Sequence, residues 1–531
     1  MRCIMLKIST KEGLFDDLLR RTVWFLKQDI LELDIDGERV KGYRSPDSKA
    51  IWIRDHSDML RLGKHIEPDV RSTVDHFAQT QAANGRIFDF VTCFPGSPGE
   101  RENWTKYVRV PVEADVEYRF IKASFLAWQA TGNDEWILAL MPALEKALTY
   151  SLGHPLRIDH ESGLVKRPYT IDTWDFAYTA GHHPWLQFQM DENTFWGIFH
   201  GDNSGIYEAL SLLEIIKNAT ETTLQGTWPV AKIHTKKEET RKAVDRLCWN
   251  GSFYTHFVKL VPVEIAGVNE SEQLSLSNPM AINRGMASHD QAVSILREYI
   301  RREEQGGSFA GWYSIDPPFP AGIFGDEKLV PGAYINGGIF PLAGGELALA
   351  AFEHGFETTG VSILKKYYDL IAAHNESFLW YFPDGTPSSI ETSTSPDAMP
   401  TDGWGSSAMA WALLEGLAGI QDLGKLYKKT RLSPRWLAAN INQATVEVGY
   451  EASGNCIGYE YTRIDNQLIF NIFGSTETNC HILIDPSDQV SEVLVEKDQI
   501  AFTLEWIEQS HYLNFSLKTK DLTRIRVNFI K

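Results

Sequence analysis

The sequence has little cysteine and no long hydrophobic run. Its five cysteines are scattered and show no CxxC spacing, so they indicate neither a disulfide framework nor a zinc site. No apolar stretch reaches the length of about 18 residues that a membrane-spanning helix needs. Residues 1–21 lack the apolar region of a signal peptide. Together these absences predict a cytoplasmic protein that does not contact a membrane.

Basic residues are also in short supply. There are 51 Lys and Arg against 70 Asp and Glu, which gives a formal net charge of −19. Because nucleic acids and anionic membranes need clustered basic side chains, the composition excludes both as partners. No GxSxG nucleophile elbow occurs, and the histidines show no ligand spacing with acidic residues. The sequence therefore predicts a small neutral substrate and no metal or other cofactor.

Aromatic residues, by contrast, are abundant, with 16 Trp, 19 Tyr and 27 Phe. The apolar faces of sugar rings stack on aromatic side chains, so Trp in polar, Gly-rich loops suits a small carbohydrate as substrate. The filling of a large core is the other explanation for any single Trp.

Helical periodicity dominates residues 1–432. Amphipathic patterns cover 14–31, 59–82, 117–131, 135–152, 206–216, 238–248, 290–302, 344–354, 361–374 and 406–420. With one or two more that are hard to place, this gives roughly ten to twelve helices. Helices of that number, separated by long loops, predict a mainly α domain of paired helices closed into a toroid.

After the turn at 432–434 the pattern changes to short alternating segments. Eight runs rich in β-branched and aromatic residues lie at 444–449, 456–462, 467–473, 481–484, 490–495, 500–506, 512–517 and 524–530. Such runs, spaced about ten residues apart with turn signals between them, are typical of an antiparallel sheet protein. The sequence thus predicts a catalytic domain over residues 1–432 and a small antiparallel β-sandwich over residues 433–531.

Four charged, aromatic-rich clusters stand out in the helical part, and the first covers residues 51–58. An Asp/Arg pair next to a Trp can hold two sugar hydroxyls while the ring stacks, so Trp52, Arg54 and Asp55 are candidates for substrate binding. Capping of the next helix is the alternative role, and Asp58 is expected to fill it.

The second cluster covers residues 166–178, where Asp172 and Asp175 flank Trp174. A carboxyl beside Trp and Phe is partly desolvated, which raises its pKa and keeps it protonated near neutrality. A general acid needs that property. A turn stabilised by the Asp side chains is the alternative.

The third cluster covers residues 331–341. Gly337 and Gly338, after Tyr334 and Asn336, allow the backbone to approach a ligand closely at the mouth of the next helix. A plain junction between a loop and a helix is the alternative.

The fourth cluster covers residues 388–406 and carries Glu391 and Asp402 ahead of an apolar helix near Trp404. Asp402 or Ser406 is the expected cap of that helix. Glu391 lies too far upstream to cap it. A carboxylate in a loop rich in Ser and Thr stays ionised, as a general base must.

One carboxyl in an apolar setting and one in a polar setting form the acid/base pair of glycoside hydrolysis. An inverting enzyme separates the two groups by roughly 6.5–9.5 Å, so that a water molecule fits between them. Asp175 and Glu391 are the predicted pair, with Asp172 and Asp402 as the first replacements.

These clusters, in this order, resemble the six-hairpin glycosidases, which include glucoamylases, trehalases and processing-type α-glucosidases. Trp52-Ile-Arg-Asp55 is similar to the motif that binds the non-reducing sugar in glucoamylase-like enzymes. Thr173-Trp-Asp-Phe176 is similar to the segment whose Asp is the general acid in trehalases. Tyr334-Ile-Asn-Gly-Gly-Ile-Phe-Pro341 is similar to a segment of debranching enzymes and disaccharide phosphorylases, with Phe340 in place of the usual Trp.

The resemblance implies an (α/α)6 barrel over about residues 10–430 and an inverting, exo-acting hydrolase for a short α-linked glycoside. It implies that Asp175 is the general acid and that Glu391, ahead of Gly403-Trp-Gly405, is the base. Thr392 replaces the aromatic that often follows the base, which keeps Asp402 as a competitor. The residues expected to bind the sugar are Trp52, Arg54, Asp55, Trp174, Tyr334, Asn336, Asp402 and Trp404.

Two other functions remain open. An inverting disaccharide phosphorylase shares the barrel but uses phosphate in place of the base-activated water, and Glu391 argues against it. An inactive sugar-binding protein is the second, and the carboxylates in both the acid-like and the base-like segments argue against that.

Overall fold

A computed structural model describes residues 6–35, 37–46, 48, 50–92, 106–107, 113–171, 195–324, 327–392 and 400–530. Within these ranges the chain forms an α-rich part followed by a C-terminal β domain. The described helices are α1 Leu14–Gln28, α2 Ile53–Gly63, α3 Ser72–Gln79, α4 Val116–Thr131, α5 Asp134–Gly153, α6 His200–Ala219, α7 Val230–Cys248, α8 Ser277–Asn283, α9 His289–Gly306, α10 Pro341–Glu353, α11 Glu357–His374 and α12 Trp404–Trp411. None of these helices is long and apolar enough to cross a lipid bilayer.

Six of the helices contact one another in a closed ring. In chain order α2, α4, α6, α8, α10 and α12 each pack against the next, and α12 packs against α2. The other six pack on the outside of one or two ring members. Every residue of α2 is buried, whereas α9 buries a single stripe of five residues. A helix buried on all sides belongs to the interior of a protein, and a helix with one buried stripe covers it from the outside.

The helix boundaries follow local capping chemistry. Ser288 and Gln291 form a capping box at the start of α9. Asn133 accepts a hydrogen bond from the backbone of Trp136 at the start of α5. Pro341 begins α10, where its missing N–H does no harm.

The prediction of one helix over residues 59–82 is wrong, because the segment contains two. Helix α2 ends at Gly63. Pro68 follows, and a proline in a helix interior removes a hydrogen bond and clashes with the preceding turn. Helix α3 begins only at Ser72.

The strands fall into two larger sheets and several small ones. They are β1 Leu6–Thr10, β2 Ile30–Ile35, β3 Glu38–Tyr43, β4 Ala50–Trp52, β5 Phe90–Thr92, β6 Lys106–Tyr107, β7 Ile158–Asp159, β8 Leu164–Pro168, β9 Trp196–Phe199, β10 Phe257–Lys259, β11 Leu274–Ser275, β12 Ile315–Asp316, β13 Ile420–Asp422, β14 Lys429–Leu432, β15 Gln443–Gly449, β16 Cys456–Ile464, β17 Gln467–Phe473, β18 Glu477–Ile484, β19 Gln489–Val495, β20 Asp498–Ile500, β21 Thr503–Ile507, β22 Ser510–Lys518 and β23 Leu522–Ile530.

The C-terminal domain is built from a seven-stranded and a five-stranded sheet. Their strand orders are β1-β15-β16-β17-β23-β19-β20 and β13-β14-β18-β22-β21. Pairing is antiparallel except between β14 and β18. Alternate residues are buried, such as Leu468, Phe470 and Ile472 in β17, as expected where one face of a sheet packs on a core.

Seven of the eight predicted β segments coincide with single strands, whereas the segment 500–506 spans the end of β20 and most of β21, which belong to different sheets. The sheets also include strands from outside the predicted segments. Strand β1, which was not predicted, pairs with β15 so that Leu6 lies opposite Val448. Strands β13 and β14 also join, and both precede the predicted boundary at residue 433. Among the described cysteines, Cys456 is disulfide-bonded, whereas Cys248 and Cys480 are buried thiols.

The C-terminal sheets lie against the ends at which the ring helices finish. Nδ1 of His65, just after α2, lies 2.8 Å from the carbonyl oxygen of Gly449. Gln129, near the end of α4, donates to the carbonyl of Asp422 at 3.0 Å. Glu353, the last residue of α10, pairs with Arg435 at 2.8 Å. The opposite ends, where the ring helices begin, are therefore left for a site.

Candidate functional site

One arginine contacts two carboxyls where α2 and α12 begin, and a third carboxyl is near enough to act on its charge. Nη1 of Arg44 lies 2.7 Å from Oδ1 of Asp55 and 3.3 Å from Oδ2 of Asp402. Asp29 is the third carboxyl, and its backbone carbonyl accepts a 2.9 Å hydrogen bond from the amide of Arg44. We refer to Asp29, Arg44, Asp55 and Asp402 as the Arg44 cluster.

Four separate segments supply the Arg44 cluster. Asp29 follows the last residue of α1, and Arg44 follows the last residue of β3. Asp55 lies in the first turn of α2, where the positive end of the helix dipole favours a carboxylate. Asp402 lies two residues before α12, and its Oδ1 accepts a 2.6 Å hydrogen bond from the amide of Trp404. Gly403 is the N-cap residue of α12 and Ser406 lies inside the helix, so the expectation that Asp402 or Ser406 is the cap is wrong.

The electrostatics of the cluster favour the protonated form of two carboxyls. Burial raises the pKa of Asp402 to about 7, the charge of Asp55 acts in the same direction, and Arg44 opposes them. Burial also raises the pKa of Asp29 well above its usual range, and the neighbouring charge of Asp402 adds to that shift. With one guanidinium against three carboxyls, ionising all of them would leave unpaired charge in a poorly solvated space.

Tyr334 extends this site from the loop before α10. It is half-buried, contributes to the electrostatic environment of Arg44, and has a left-handed backbone conformation with φ of 47°. Its ring centroid lies 5.7 Å from that of Phe340 and 6.2 Å from that of Trp380. A bulky residue held at positive φ is strained, and such strain is common where a loop presents a side chain to a ligand.

A second charged network fills the ring beneath the Arg44 cluster. Asp58 accepts from Arg119 at 2.6 Å and from the indole N–H of Trp404 at 3.1 Å. Lys122 lies 3.6 Å from Asp58 and 3.2 Å from Glu208. The network thereby connects α2, α4, α6 and α12. Burial alone would raise the pKa of Asp58, but the nearby cations hold it well below its usual range. Asp58 is therefore an interior ion-pair residue, and the expectation that it caps a helix is wrong because α2 begins at Ile53.

Several predicted binding residues are occupied by protein contacts. Arg54 is buried and pairs with Glu113 and, at 2.6 Å, with Asp115. Asn336 is buried and braces its loop, because its side chain bonds to both backbone groups of Phe319 and to the carbonyl of Leu329. These contacts position the loops at the start of the ring helices.

Two predicted aromatic residues have different settings. Trp52 is half-buried and packs against Phe90 in a tilted arrangement, with ring centroids 4.2 Å apart. Trp404 is 4% exposed and donates its indole N–H to Asp58, so it is part of the buried network around that carboxylate.

Glu391 is exposed on the loop after α11. A hydrogen bond with the side chain of Ser389 lowers the pKa of Glu391, so the carboxyl is ionised at neutral pH. Within the described ranges no hydrogen bond or ion pair joins Glu391 to the Arg44 cluster. Asp172, Trp174 and Asp175 lie outside the described residues.

Sequence reasoning missed Arg44 and Asp29. Arg44 precedes an ordinary Ser-Pro pair, and Asp29 directly follows an amphipathic helix, so neither carries a motif. Within the described ranges no three His, Cys, Asp or Glu side chains come together in a way that could hold a metal ion.

The chain resembles solved structures of glycoside hydrolases in fold. It superposes on α-L-rhamnosidase from Dictyoglumus thermophilum with a TM-score of 0.61 and 10% identity, covering 99% of this chain and 50% of that chain. For Streptomyces avermitilis α-L-rhamnosidase complexed with L-rhamnose the TM-score is 0.61 and the identity 10%, with 99% and 42% covered. A GH63 mannosylglycerate hydrolase from Thermus thermophilus, in complex with Tris and D-glycerate, gives 0.51 and 14%, with 75% and 99% covered.

The chain thus spans half or less of the length of these two rhamnosidase chains. No protein-family model and no curated protein sequence matches it. At identities of 10% to 14% the likeness establishes a shared fold, and the two rhamnosidases share it over nearly the whole of this chain.

Proposed function

We propose that this chain is an inverting glycoside hydrolase that removes a terminal sugar from a short α-linked oligosaccharide or glycoside. The observation that carries the proposal is the Arg44 cluster, which places charged hydrogen-bonding groups from four segments at one end of the helix ring. A few convergent polar groups with a perturbed pKa are typical of a binding or catalytic site. The fold shared with glycoside hydrolases favours sugar chemistry at that place.

In this proposal the six ring helices are the inner wall of an (α/α)6 toroid. The catalytic domain covers residues 1–432, and residues 433–531 support it as a β-sandwich. The site opens where the ring helices begin, because the C-terminal sheets cover the ends where they finish.

The Arg44 cluster binds the non-reducing sugar. Asp55 and Asp402 accept hydrogen bonds from sugar hydroxyls, and Arg44 holds both carboxylates in place. Trp52, Trp174 and Tyr334 offer ring faces to the sugar. Arg54, Asn336 and Trp404 act by positioning, since their polar groups are already bonded to protein.

The chemistry follows the inverting scheme. Asp175 donates a proton to the leaving-group oxygen as the bond from that oxygen to the anomeric carbon breaks. Glu391 accepts a proton from a water molecule, whose oxygen forms the new bond on the opposite face of the ring. The ionised state of Glu391 supports this role. Asp402 is the alternative base, because its pKa of about 7 suits proton transfer near neutrality.

A substrate screen tests the proposal. The panel contains nitrophenyl glycosides and α-linked disaccharides, and it includes an α-L-rhamnoside and mannosylglycerate because proteins of this fold are named for them. Each compound is tested with and without phosphate, in wild type and in Asp55→Asn. We expect phosphate-independent release of a monosaccharide that Asp55→Asn reduces strongly.

Other outcomes would reject the hydrolase. Turnover only with phosphate would establish a disaccharide phosphorylase. Sugar binding without turnover across the panel would establish a binding protein.

A further inference from the structure

Asp29 is a buried carboxyl without a conventional partner. Its side chain is 1% exposed, and neither of its oxygens has a hydrogen-bond partner among the described residues. Buried carboxylates in proteins are normally paired with a cation or bonded to several donors. A buried carboxyl that lacks both is expected to be a neutral acid.

The position of Asp29 brings it against the segment that carries Asp402. A Cβ added to Gly403 would lie 1.9 Å from Oδ2 of Asp29, so the carboxyl fills the space that a side chain at 403 would need. Gly403 is the residue after Asp402, and its amide lowers the pKa of Asp29, an effect smaller than the opposing effect of burial. The two carboxyls are therefore neighbours across one glycine, at the junction of α1 and α12.

Arg44 cannot neutralise both of these carboxyls. Its guanidinium is 2.7 Å from Asp55 and 3.3 Å from Asp402, whereas its contact with Asp29 is through the backbone. Asp402 also accepts an N–H from Trp404 at 2.6 Å, which favours its ionised form.

The other charged or titratable groups near the pair do not supply a cation. Glu376, after α11, adds negative charge at Asp29, and Asp55 adds it at Asp402. Tyr334 faces Arg44. Among the described groups that act on the pair, Arg44 is the single cation.

We infer that Asp29 is a positioning residue of this site: it carries a proton at neutral pH and thereby lets the adjacent Asp402 ionise. A neutral Asp29 lowers the charge that the cluster must hold, so Asp402 can accept a hydrogen bond or a proton from a bound molecule. The functional part of this inference rests on the proposed sugar site, whereas the proton on Asp29 does not.

The test measures unfolding equilibria of wild type, Asp29→Asn and Asp29→Ser between pH 5 and pH 9. In the unfolded chain Asp29 loses its proton near pH 4. The folded wild type keeps it, so the wild type loses stability relative to both variants as the pH rises. As the pH rises, the unfolding constant of the variant divided by that of the wild type should fall by up to about tenfold per pH unit. Asp369→Asn, which removes an exposed carboxyl on α11, is the control and should give a ratio that does not change with pH.

A ratio that stays flat from pH 5 to pH 9 for both variants would overturn the inference, because it would show that Asp29 is ionised or absent from the linkage. Asp29→Ser covers the case in which the amide packs badly, since the pH slope reports bound protons and is independent of absolute stability. The measurement needs no substrate. Failure of the substrate screen with a sloping ratio would therefore reject the proposed function alone, and the reverse pattern would reject Asp29 alone.

Discussion

Arg44 compensates the charge of the carboxyls around it, so its removal should lower the free energy of unfolding. Arg44→Met leaves Asp55 and Asp402 buried without a cation. Breaking a buried pair from one side costs roughly 3–5 kcal/mol. We expect a loss of that order in the free energy of unfolding, measured by urea denaturation at pH 7.

Arg39→Met is the matched control for Arg44. Arg39 lies on the adjacent strand β3, and its exposed side chain pairs with Glu32. Surface pairs contribute roughly 0–1 kcal/mol, so this variant should unfold nearly as the wild type does. Equal losses in the two variants would show that Arg44 does not hold the site together.

The raised pKa of Asp402 predicts that the folded protein loses stability as the pH rises towards 7. Its folded pKa of about 7 lies above its ordinary value of 3.8, so the folded chain binds more protons than the unfolded chain between these values. The contribution is fully present below pH 3.8 and is lost as the pH rises through 7. Asp402→Asn, which resembles the protonated acid, should gain in Tm relative to the wild type as the pH increases from 5 to 8. A Tm difference that does not change with pH would contradict the raised pKa.

The effects of substitutions on kcat and KM should distinguish the proposed roles of Glu391 and Asp402. Glu391→Gln should reduce kcat by roughly 10²–10⁴-fold, the usual contribution of a general base. Asp402→Asn should raise KM more than it lowers kcat, because the carboxyl binds sugar hydroxyls in this account. Steady-state kinetics on a substrate from the screen distinguishes the two. The reverse pattern would move the base from Glu391 to Asp402.

At the scale of secondary-structure elements, the contact between α1 and the start of α12 is tight enough to test directly. Gly403→Ala places a Cβ 1.9 Å from the Asp29 carboxyl, and overpacking of this kind costs about 1–3 kcal/mol. Gly424→Ala is the control, since a Cβ there meets no atom within 4 Å. Urea denaturation should show a loss for Gly403→Ala alone. Equal stability of the two variants would mean that the two elements are not packed closely.

The elements were predictable where local chemistry decides them. The alternation in 467–473 and the amphipathic pattern in 361–374 follow from side-chain periodicity alone, and the structure has β17 and α11 there. The pattern over 59–82 predicts one helix because its apolar period continues past Gly63 and Pro68, whereas a proline interrupts helical hydrogen bonding.

At the scale of the whole molecule, long-range pairing is what the sequence could not supply. Arg44 and Asp402 are separated by 358 residues, and β1 joins a sheet whose other strands begin after residue 440. No sequence pattern near Arg44 or Leu6 indicates which distant residue each of them contacts. Asp55 and Asp402 could be found because they belong to motifs, whereas Arg44 and Asp29 become visible only when the ring brings four segments together.

The interior of the helix ring and the C-terminal sheets are joined by buried charge. Arg435 is fully buried and bonds to Glu353 at the end of α10, to Tyr512 in β22 and to the carbonyl of Gly416. Because these contacts lie at the far end of the ring from the Arg44 cluster, the β domain fixes the ends of the ring helices without entering the proposed site.

The stereochemistry of hydrolysis tests the central claim most directly. Proton NMR records the anomeric configuration of the first sugar released from a substrate identified in the screen, before mutarotation mixes the anomers. Direct attack by water on the face opposite the leaving group predicts that the first product has the anomeric configuration opposite to that of the substrate. A first product that keeps the substrate's configuration would contradict the account, because one carboxylate would then have to form a covalent bond to the sugar.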